Sequence, residues 1–125
     1  MFDLRILIVD DTPLMRNIII KTLRRAGFLN VTAAVDAYDA LTKLKEEEFD
    51  FVITDWKMPQ LDGPGLVREI RSNPKLKSLP VLLITCQNIR TEALKVMKAG
   101  VTNYIVKPFT SVTLANKIEQ VLKTA

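Results

Sequence analysis

Short apolar runs alternate with amphipathic helical patterns along the chain, and this alternation limits the possible fold more than any other feature. Five runs have the length and composition of β-strands: Leu4–Val9, Val31–Val35, Phe51–Thr54, Val81–Ile84 and Asn103–Val106. The first run is almost continuously apolar, which is typical of a strand covered on both faces. Strands that alternate with helices predict βα units and a parallel sheet. We therefore expect an α/β protein with a doubly wound five-stranded parallel sheet, in the flavodoxin-like order 2-1-3-4-5.

Residues that begin or end helices separate these runs. Pro13 suits a first helical turn, where its missing N–H costs nothing, and Gly27 suits the end of the same helix. Asp36 and Thr110 are predicted N-caps of the second and last helices. Residues 56–65 contain two prolines and two glycines and are expected to form a loop. The apolar residues of the next two predicted helices are Leu66, Val67 and Ile70, and then Ala93, Leu94, Val96 and Met97 before Gly100.

The composition is that of one ordinary globular domain. The chain has 125 residues, of which 48% are hydrophobic and 26% charged, and we expect residues 1–125 to form a single domain. No apolar run approaches the roughly 20 residues of a membrane span, and the N-terminus lacks the features of a signal peptide. A single cysteine, Cys86, fits a cytoplasmic location. The absence of histidine excludes His/Cys metal sites and a Ser-His-Asp triad.

The net charge of +4 is unevenly distributed. Residues 88–125 hold six basic and two acidic residues, whereas residues 1–87 hold twelve of each. The excess fits either ordinary solvated helix faces or a docking surface for an acidic partner. Nucleic acid is disfavoured as a partner because the basic residues form no cluster.

Polar residues follow four of the predicted strands where each strand ends. Asp10 and Asp11 follow the first, Asp55 the third, Thr85 the fourth and Lys107 the fifth. In an open parallel α/β sheet, ligands bind beyond the carboxyl ends of the strands. Three carboxylates there repel one another unless a hard cation such as Mg²⁺ is present. The sequence therefore predicts a divalent-cation and phosphoryl site, although Asp10 and Asp11 would also suit a helix cap before Pro13.

Each of these residues also has a less specific interpretation. Asp55 could be a nucleophile, because carboxylates form phosphoaspartates, or a solvated loop residue or metal ligand. Lys107 suits a phosphate but could be a surface lysine, and Thr85 could offer its hydroxyl or be an ordinary strand threonine. No glycine-rich phosphate-binding loop is present.

This ordered set resembles the receiver domain of two-component response regulators over nearly the whole chain. The resemblance is greatest to single-domain chemotaxis (CheY-like) members, through Asp55-Trp56-Lys57-Met58-Pro59, Asp62-Gly63 and residues 99–109. It implies a switch that is not a conventional enzyme but catalyses its own phosphorylation and slow dephosphorylation. An aspartate-nucleophile phosphatase would need a second aspartate at Thr12. An FMN carrier would place a phosphate against three carboxylates.

The resemblance implies a role for each matching residue. Asp55 would take a phosphoryl group from a CheA-like histidine kinase. Lys107 would neutralise that group and Thr85 would bond to it. The implied Mg²⁺ ligands are Asp11, Asp55 and the backbone carbonyl of Lys57, with Asp10 acting through water.

The phosphorylated protein would then bind a FliM-like flagellar motor switch protein. The binding surface on this chain would include Tyr104, Lys95, Lys98, Val106 and Lys117. The alternative is a stand-alone receiver with a non-motor output, a phosphorelay intermediate or a phosphate sink. A phosphatase is a possible further partner, and the protein is expected to be a monomer. Tyr104 could equally be a half-buried strand aromatic.

Four positions depart from the pattern of the chemotaxis members. Lys57 stands where asparagine is typical of enteric-type members, and Gln87 stands in place of glutamate. Both would flank the water that attacks the phosphoryl group, and they bear on its lifetime. Cys86 replaces a smaller alanine, and Pro64 follows Gly63 at a position compatible with a helix start.

Overall fold

The computed structural model describes residues 3–85 and 100–124 of the chain. The elements in these ranges are β1 (Ile6–Val9), α1 (Pro13–Arg25), β2 (Val31–Ala34), α2 (Ala37–Glu46), β3 (Phe51–Asp55), α3 (Gly63–Ser72), β4 (Val81–Thr85), β5 (Asn103–Val106) and α4 (Ser111–Thr124). Several predictions lie outside the described residues: the helix around residues 93–97, and those for Cys86, Gln87, Lys95 and Lys98.

The five strands form one parallel sheet in the order β2-β1-β3-β4-β5, which confirms the predicted fold class. The register aligns the carboxyl ends of neighbouring strands. Val9 pairs with Ala34 on one side and with Thr54 on the other. Thr85 pairs with Val106 at the other side of the sheet. Residues that follow the strands therefore meet at one edge.

Side chains of the central strands alternate between two apolar layers. In β1, Leu7 and Val9 pack on the layer with α2 and α3, whereas Ile6 and Ile8 pack on the layer with α1 and α4. This two-residue alternation follows from strand geometry, and helices on both faces explain why the whole of β1 is apolar. The sheet is thus a buried, rigid support for the residues at its carboxyl edge.

Several predicted helix ends are confirmed. Pro13 is the first residue of α1, and Gly27 adopts a φ of 100° just after it, in the left-handed region that favours glycine. Asp36 Oδ1 accepts a hydrogen bond of 2.7 Å from the Asp39 N–H at the start of α2. Thr110 Oγ1 accepts one of 3.1 Å from the Thr113 N–H.

The predicted loop over residues 56–65 is wrong at its end, because α3 already begins at Gly63. Asp62 caps that helix by accepting a hydrogen bond of 2.8 Å from the Gly65 N–H. Pro64 lies in the first turn, where no intrahelical N–H is needed, as the sequence indicated. The same proline and glycines that indicated a turn therefore also form a helix start.

Four predicted strand limits shift by one or two residues. The first strand begins at Ile6 rather than Leu4, and the second ends at Ala34 rather than Val35. The third and fourth extend one residue further and include Asp55 and Thr85. None of the helices in residues 3–85 and 100–124 combines the length and apolar character that crossing a membrane requires.

Candidate functional site

Three carboxylates meet at the carboxyl edge of the sheet. Asp10 and Asp11 follow β1, Asp55 ends β3, and these two strands are direct neighbours. One carboxylate oxygen from each residue lies within 4.8 Å of the others. Asp10 is fully buried, whereas Asp11 and Asp55 remain partly accessible. The structure therefore brings together the acidic residues that the sequence placed at this edge.

Asp10 uses only one of its carboxylate oxygens for local structure. Its Oδ1 accepts hydrogen bonds from the backbone N–H (2.9 Å) and the hydroxyl (3.0 Å) of Thr12. Its Oδ2 is buried, and no described residue donates a hydrogen bond to it. A buried oxygen without a donor is costly, and a cation would satisfy it. The local, capping-like interpretation of Asp10 thus accounts for one oxygen and leaves the other.

Asp55 lies between one cation and one anion. Lys107 Nζ is 3.3 Å from Asp55 Oδ1, and both side chains are largely shielded from solvent. Burial raises the pKa of Asp55 above its usual value, and the nearby Asp10 adds to this. The Lys107 charge and a 2.9 Å hydrogen bond from the Trp56 N–H lower the pKa in part. Burial outweighs the cation, so the pKa of Asp55 is raised, and a further positive group would favour its charged form.

The residue after Asp55 joins the acidic cluster to α3. The Trp56 carbonyl accepts a hydrogen bond of 2.8 Å from the Gly63 N–H, at the first residue of that helix. A side chain at Gly63 would collide with the Asp55 carbonyl oxygen and come within 2.7 Å of Leu83 Cδ1. Glycine therefore allows the start of α3 to pack directly against the end of β3.

The remaining predicted residues are located on β4, β5 and α4. Thr85 is buried at the end of β4, and its carbonyl accepts a 2.8 Å hydrogen bond from the Lys107 N–H. The bond between Lys107 and Pro108 is cis. Tyr104 on β5 is partly buried, and the Lys117 ammonium lies 5.8 Å from the centre of its ring. Val106 is also partly exposed, so Tyr104, Val106 and Lys117 are accessible to a partner.

The donor set at the edge fits Mg²⁺. This ion prefers oxygen ligands, takes one or two carboxylates and keeps several waters. The cluster offers three carboxylates, and the buried Asp10 Oδ2 is an acceptor without a donor among the described residues. The Lys57 side chain is exposed, and among the described residues it forms no hydrogen bond or ion pair with the acidic cluster. The Lys57 backbone carbonyl stays a predicted ligand.

Sequence reasoning missed the structural roles of three residues that shape this edge. Thr12 holds Asp10 Oδ1, and the Arg16 guanidinium donates a 2.8 Å hydrogen bond to the Asp10 carbonyl oxygen. Gly63 allows the close contact described above. For Arg16, the only signal was a basic residue in the first turn of a helix that follows a strand. For Gly63, it was a glycine directly after a capping residue.

The protein is thus a flavodoxin-like α/β domain with an acidic crevice whose carboxylates could bind a cation. The chain belongs to the response regulator receiver domain family, whose model matches residues 6–119. As a CheY-like receiver domain, it has the features expected for two-component signalling in chemotaxis.

Curated relatives and solved structures are similar to this chain over nearly its full length. Chemotaxis protein CheY-3 of Vibrio cholerae is 46% identical over 121 residues, which cover 97% of this chain and 93% of that protein. Chemotaxis protein CheY of Pseudomonas aeruginosa is 44% identical, with 96% and 97% covered. The structure of V. cholerae CheY4 has a TM-score of 0.88 at 31% identity, covering 95% of this chain and 98% of that chain. A putative response regulator from Chloroflexus aurantiacus has a TM-score of 0.90 at 30% identity, covering 97% and 98%.

Proposed function

We propose that this receiver domain is a phosphorylation-operated switch, in which Asp55 accepts a phosphoryl group from a histidine of a CheA-like kinase. The observation that carries the proposal is the arrangement around Asp55. Its carboxylate shares an acidic cluster within 4.8 Å and is also 3.3 Å from the Lys107 ammonium. The carboxylates could hold a divalent cation, and the ammonium could neutralise negative phosphoryl oxygens. Phosphoryl transfer depends mainly on such positioning and charge neutralisation.

In the proposed transfer, an Asp55 oxygen attacks phosphorus while the bond between phosphorus and the kinase histidine breaks. The bonding electrons return to the imidazole nitrogen, and an acyl phosphate forms on Asp55. Lys107, whose ammonium is 3.3 Å from Asp55, would neutralise the charge on the phosphoryl oxygens. Thr85, at the end of β4, is proposed to bond to the phosphoryl group through its hydroxyl.

Asp11, Asp55 and the Lys57 carbonyl would hold Mg²⁺, with Asp10 acting through water. Bound Mg²⁺ supplies positive charge next to the phosphoryl oxygens and relieves repulsion among the carboxylates. The residues of the chain contribute the rigid edge on which the cluster stands. Asp10 is fixed through Thr12, and Asp55 through the Trp56 N–H. The protein is thus proposed to catalyse only its own phosphorylation and slow dephosphorylation.

We propose a FliM-like flagellar motor switch protein as the output partner, on the basis of the chemotaxis relatives and the local charge. The binding surface would include Tyr104, Val106 and Lys117, together with Lys95 and Lys98 outside the described residues. An acidic, apolar peptide fits a partly exposed tyrosine and valine beside a lysine. We also propose a cytoplasmic monomer that uses neither nucleic acid nor membrane. A phosphatase, and a non-motor, phosphorelay or phosphate-sink role, are separate alternatives.

The first experiment tests the acidic cluster and the phosphoacceptor together. Trp56 fluorescence would be followed during addition of Mg²⁺ and then of acetyl phosphate. Both signals should change, because Trp56 directly follows Asp55 and shares a hydrogen bond with it. In Asp55→Asn the acetyl phosphate response should vanish. Asp50→Asn is the matched control, because Asp50 lies before the same strand at the opposite end and pairs with Arg5.

Two outcomes would contradict the proposal. An acetyl phosphate response that survives in Asp55→Asn would place the acceptor elsewhere. A folded wild type that responds to neither addition would leave a scaffold protein built on a receiver fold.

A separate experiment tests the output. A peptide from a flagellar motor switch protein would be titrated into wild type and Lys117→Glu, with and without acetyl phosphate. Tighter binding after phosphorylation, lost in Lys117→Glu, supports the motor role. Phosphorylation without any gain in affinity favours a non-motor output or a phosphate sink.

A further inference from the structure

One partly buried arginine ties three segments together at the edge of the sheet opposite the acidic cluster. Arg71 lies in the last turn of α3. Its guanidinium donates to the carbonyl oxygens of Gly100 (2.8 Å), Leu79 (2.6 Å) and Lys77 (3.1 Å). It also reaches the Thr102 hydroxyl at 3.4 Å. We call this set of contacts the Arg71 clamp.

The clamp holds a charge without an acidic partner among the described residues. Burial lowers the pKa of Arg71, and only neutral oxygens surround its guanidinium. Removing a cation from water is costly unless its hydrogen bonds are satisfied. A planar guanidinium can bind several acceptors at once, whereas a lysine ammonium is a single point charge. The position therefore requires an arginine rather than any basic residue.

The acceptors belong to the segments that lead into the last two strands. Lys77 and Leu79 precede β4, and Gly100 and Thr102 precede β5. The Thr102 hydroxyl also accepts a hydrogen bond of 3.1 Å from the Val81 N–H, at the first residue of β4. The clamp thus fixes the beginnings of β4 and β5 relative to each other.

Gly100 is shaped for this contact. Its φ of 96° lies in the left-handed region, and a Cβ there would come within 2.8 Å of Arg71 Cγ. Any other residue would be strained and would push the arginine side chain away. The backbone and the arginine side chain therefore fit together only when residue 100 is glycine.

β5 is one of two short edge strands, and unlike the other, β2, it leads directly to a residue of the crevice. It is four residues long and pairs only with β4, at the edge of the sheet. A slip of one residue would move each side chain to the opposite face. Lys107 directly follows β5, and its ammonium must reach Asp55. The β4–β5 register therefore decides whether this cation stays in the crevice.

We propose that Arg71 is a positioning residue for Lys107: by holding the start of β5 against β4, it keeps the Lys107 ammonium at Asp55. The inference rests on the proposed function, in which Lys107 neutralises the phosphoryl charge. The carboxylates of the acidic cluster follow β1 or end β3, strands that the clamp does not touch. Loss of the clamp should therefore affect phosphorylation and leave Mg²⁺ binding largely unchanged.

The experiment compares Arg71→Lys and Thr102→Val with Thr102→Ser, which retains the hydroxyl. Arg71→Lys keeps the positive charge but loses the planar guanidinium that binds several acceptors at once. Hydrogen exchange of the Lys107 N–H, which binds the Thr85 carbonyl, should rise about tenfold in Arg71→Lys and by a smaller factor in Thr102→Val. The Asp10 N–H, bound to the Ala34 carbonyl, is the reference amide and should be unchanged. Thr102→Ser should behave as wild type.

Function is measured on the same folded variants. The dissociation constant for Mg²⁺, from Trp56 fluorescence, should stay within about twofold of wild type because the acidic cluster is not touched. The rate of phosphorylation by acetyl phosphate should fall about tenfold in Arg71→Lys, the size of one lost charge-assisted hydrogen bond. A purely structural role would change both measurements together.

Three results separate this inference from the proposed function. Unchanged exchange at the Lys107 N–H in Arg71→Lys overturns the positioning role. Equal losses of Mg²⁺ binding and phosphorylation also overturn it. A wild type that does not react with acetyl phosphate overturns the proposed function, and the exchange measurement then still decides whether Arg71 positions β5.

Discussion

In the metal-free protein the Asp55 carboxylate should destabilise the fold that it serves. Its side chain is only 15% exposed, so it has lost much of its hydration. Burial raises the pKa of Asp55, Asp10 raises it further, and Lys107 opposes both effects only in part. Replacing Asp55 with asparagine removes the charge and keeps an oxygen that can accept the Trp56 N–H. We therefore expect Asp55→Asn to be more stable than wild type without Mg²⁺.

The size of this effect follows from the distances. With an effective dielectric constant of about 20, Lys107 at 3.3 Å attracts Asp55 by roughly 5 kcal/mol. On the same basis Asp10, at no more than 4.8 Å, repels it by at least about 3.5 kcal/mol. The net attraction of at most about 1.5 kcal/mol is smaller than the several kcal/mol that burial of a carboxylate costs. Asp55→Asn should therefore raise the free energy of unfolding by about 1–2 kcal/mol.

The assay is urea unfolding followed by circular dichroism, with EDTA or with excess Mg²⁺. At about 100 times its dissociation constant, Mg²⁺ should stabilise wild type by about 2.7 kcal/mol, and Asp55→Asn by clearly less. Asp50→Asn is the control, because it loses the Arg5 pair but none of the acidic cluster. It should be less stable than wild type and keep the full Mg²⁺ effect.

The pH dependence gives a second test of the same reasoning. An acid whose folded pKa is raised binds more protons in the folded state, so its ionisation lowers stability as pH rises. The gain from Asp55→Asn should be complete above the raised pKa and disappear as pH falls towards the unfolded value of about 3.9. A metal-free Asp55→Asn that is less stable than wild type would show that the Lys107 attraction outweighs burial. Equal stabilisation of both proteins by Mg²⁺ would place the ion elsewhere.

Three further predictions concern the support of the site. Arg5 lowers the pKa of Asp50 by hydrogen bonding, so the small stability lost in Asp50→Asn should be present at neutral pH and vanish on acidification through that lowered pKa, as measured by thermal unfolding. Gly63→Ala should cost about 1–3 kcal/mol in urea unfolding and weaken the Mg²⁺ response, because the added methyl collides with a backbone carbonyl of the acidic edge; unchanged values would contradict the close contact. Leu23→Ala should cost about 2–5 kcal/mol because Leu23 is fully buried, whereas Leu14→Ala, at a residue 73% exposed on the same helix, should change stability by no more than about 0.5 kcal/mol.

The strand pattern made most of the crevice predictable. In a parallel sheet, chain direction alone brings residues such as Asp10 and Asp55 to one edge, without any knowledge of side-chain packing. The buried apolar runs were predictable because helices cover both faces of the sheet, so that every residue of β1 is buried. Predictions that depended on which strand a residue follows therefore held.

Predictions that depended on local geometry fared less well. Proline and glycine in residues 56–65 indicated a loop, but the same residue types also begin helices, and Asp62 decides between the two by capping α3. The Thr12 contacts to Asp10 depend on rotamers that sequence spacing does not specify. The net charge gave no hint of Arg71, because its acceptors are backbone carbonyls distant in the sequence rather than acidic residues.

Besides the strand pairing through β4, two connections among the described residues join the acidic cluster to β5, and they differ in kind. One is the single contact of 3.3 Å between Lys107 and Asp55, which a phosphoryl group on Asp55 would replace with contacts to its own oxygens. The other runs from Gly63, packed on the Asp55 carbonyl, along the ten residues of α3 to Arg71 and Gly100. A switch needs one part that has two arrangements and another that stays fixed. The Lys107–Asp55 contact suits the changing part. α3 and the Arg71 clamp suit the fixed part, because the clamp's acceptors are mainly backbone carbonyl oxygens, which a phosphoryl group on Asp55 would not replace. Phosphorylation should therefore alter β5 near Lys107 and leave the backbone at Gly100 and Thr102 unchanged.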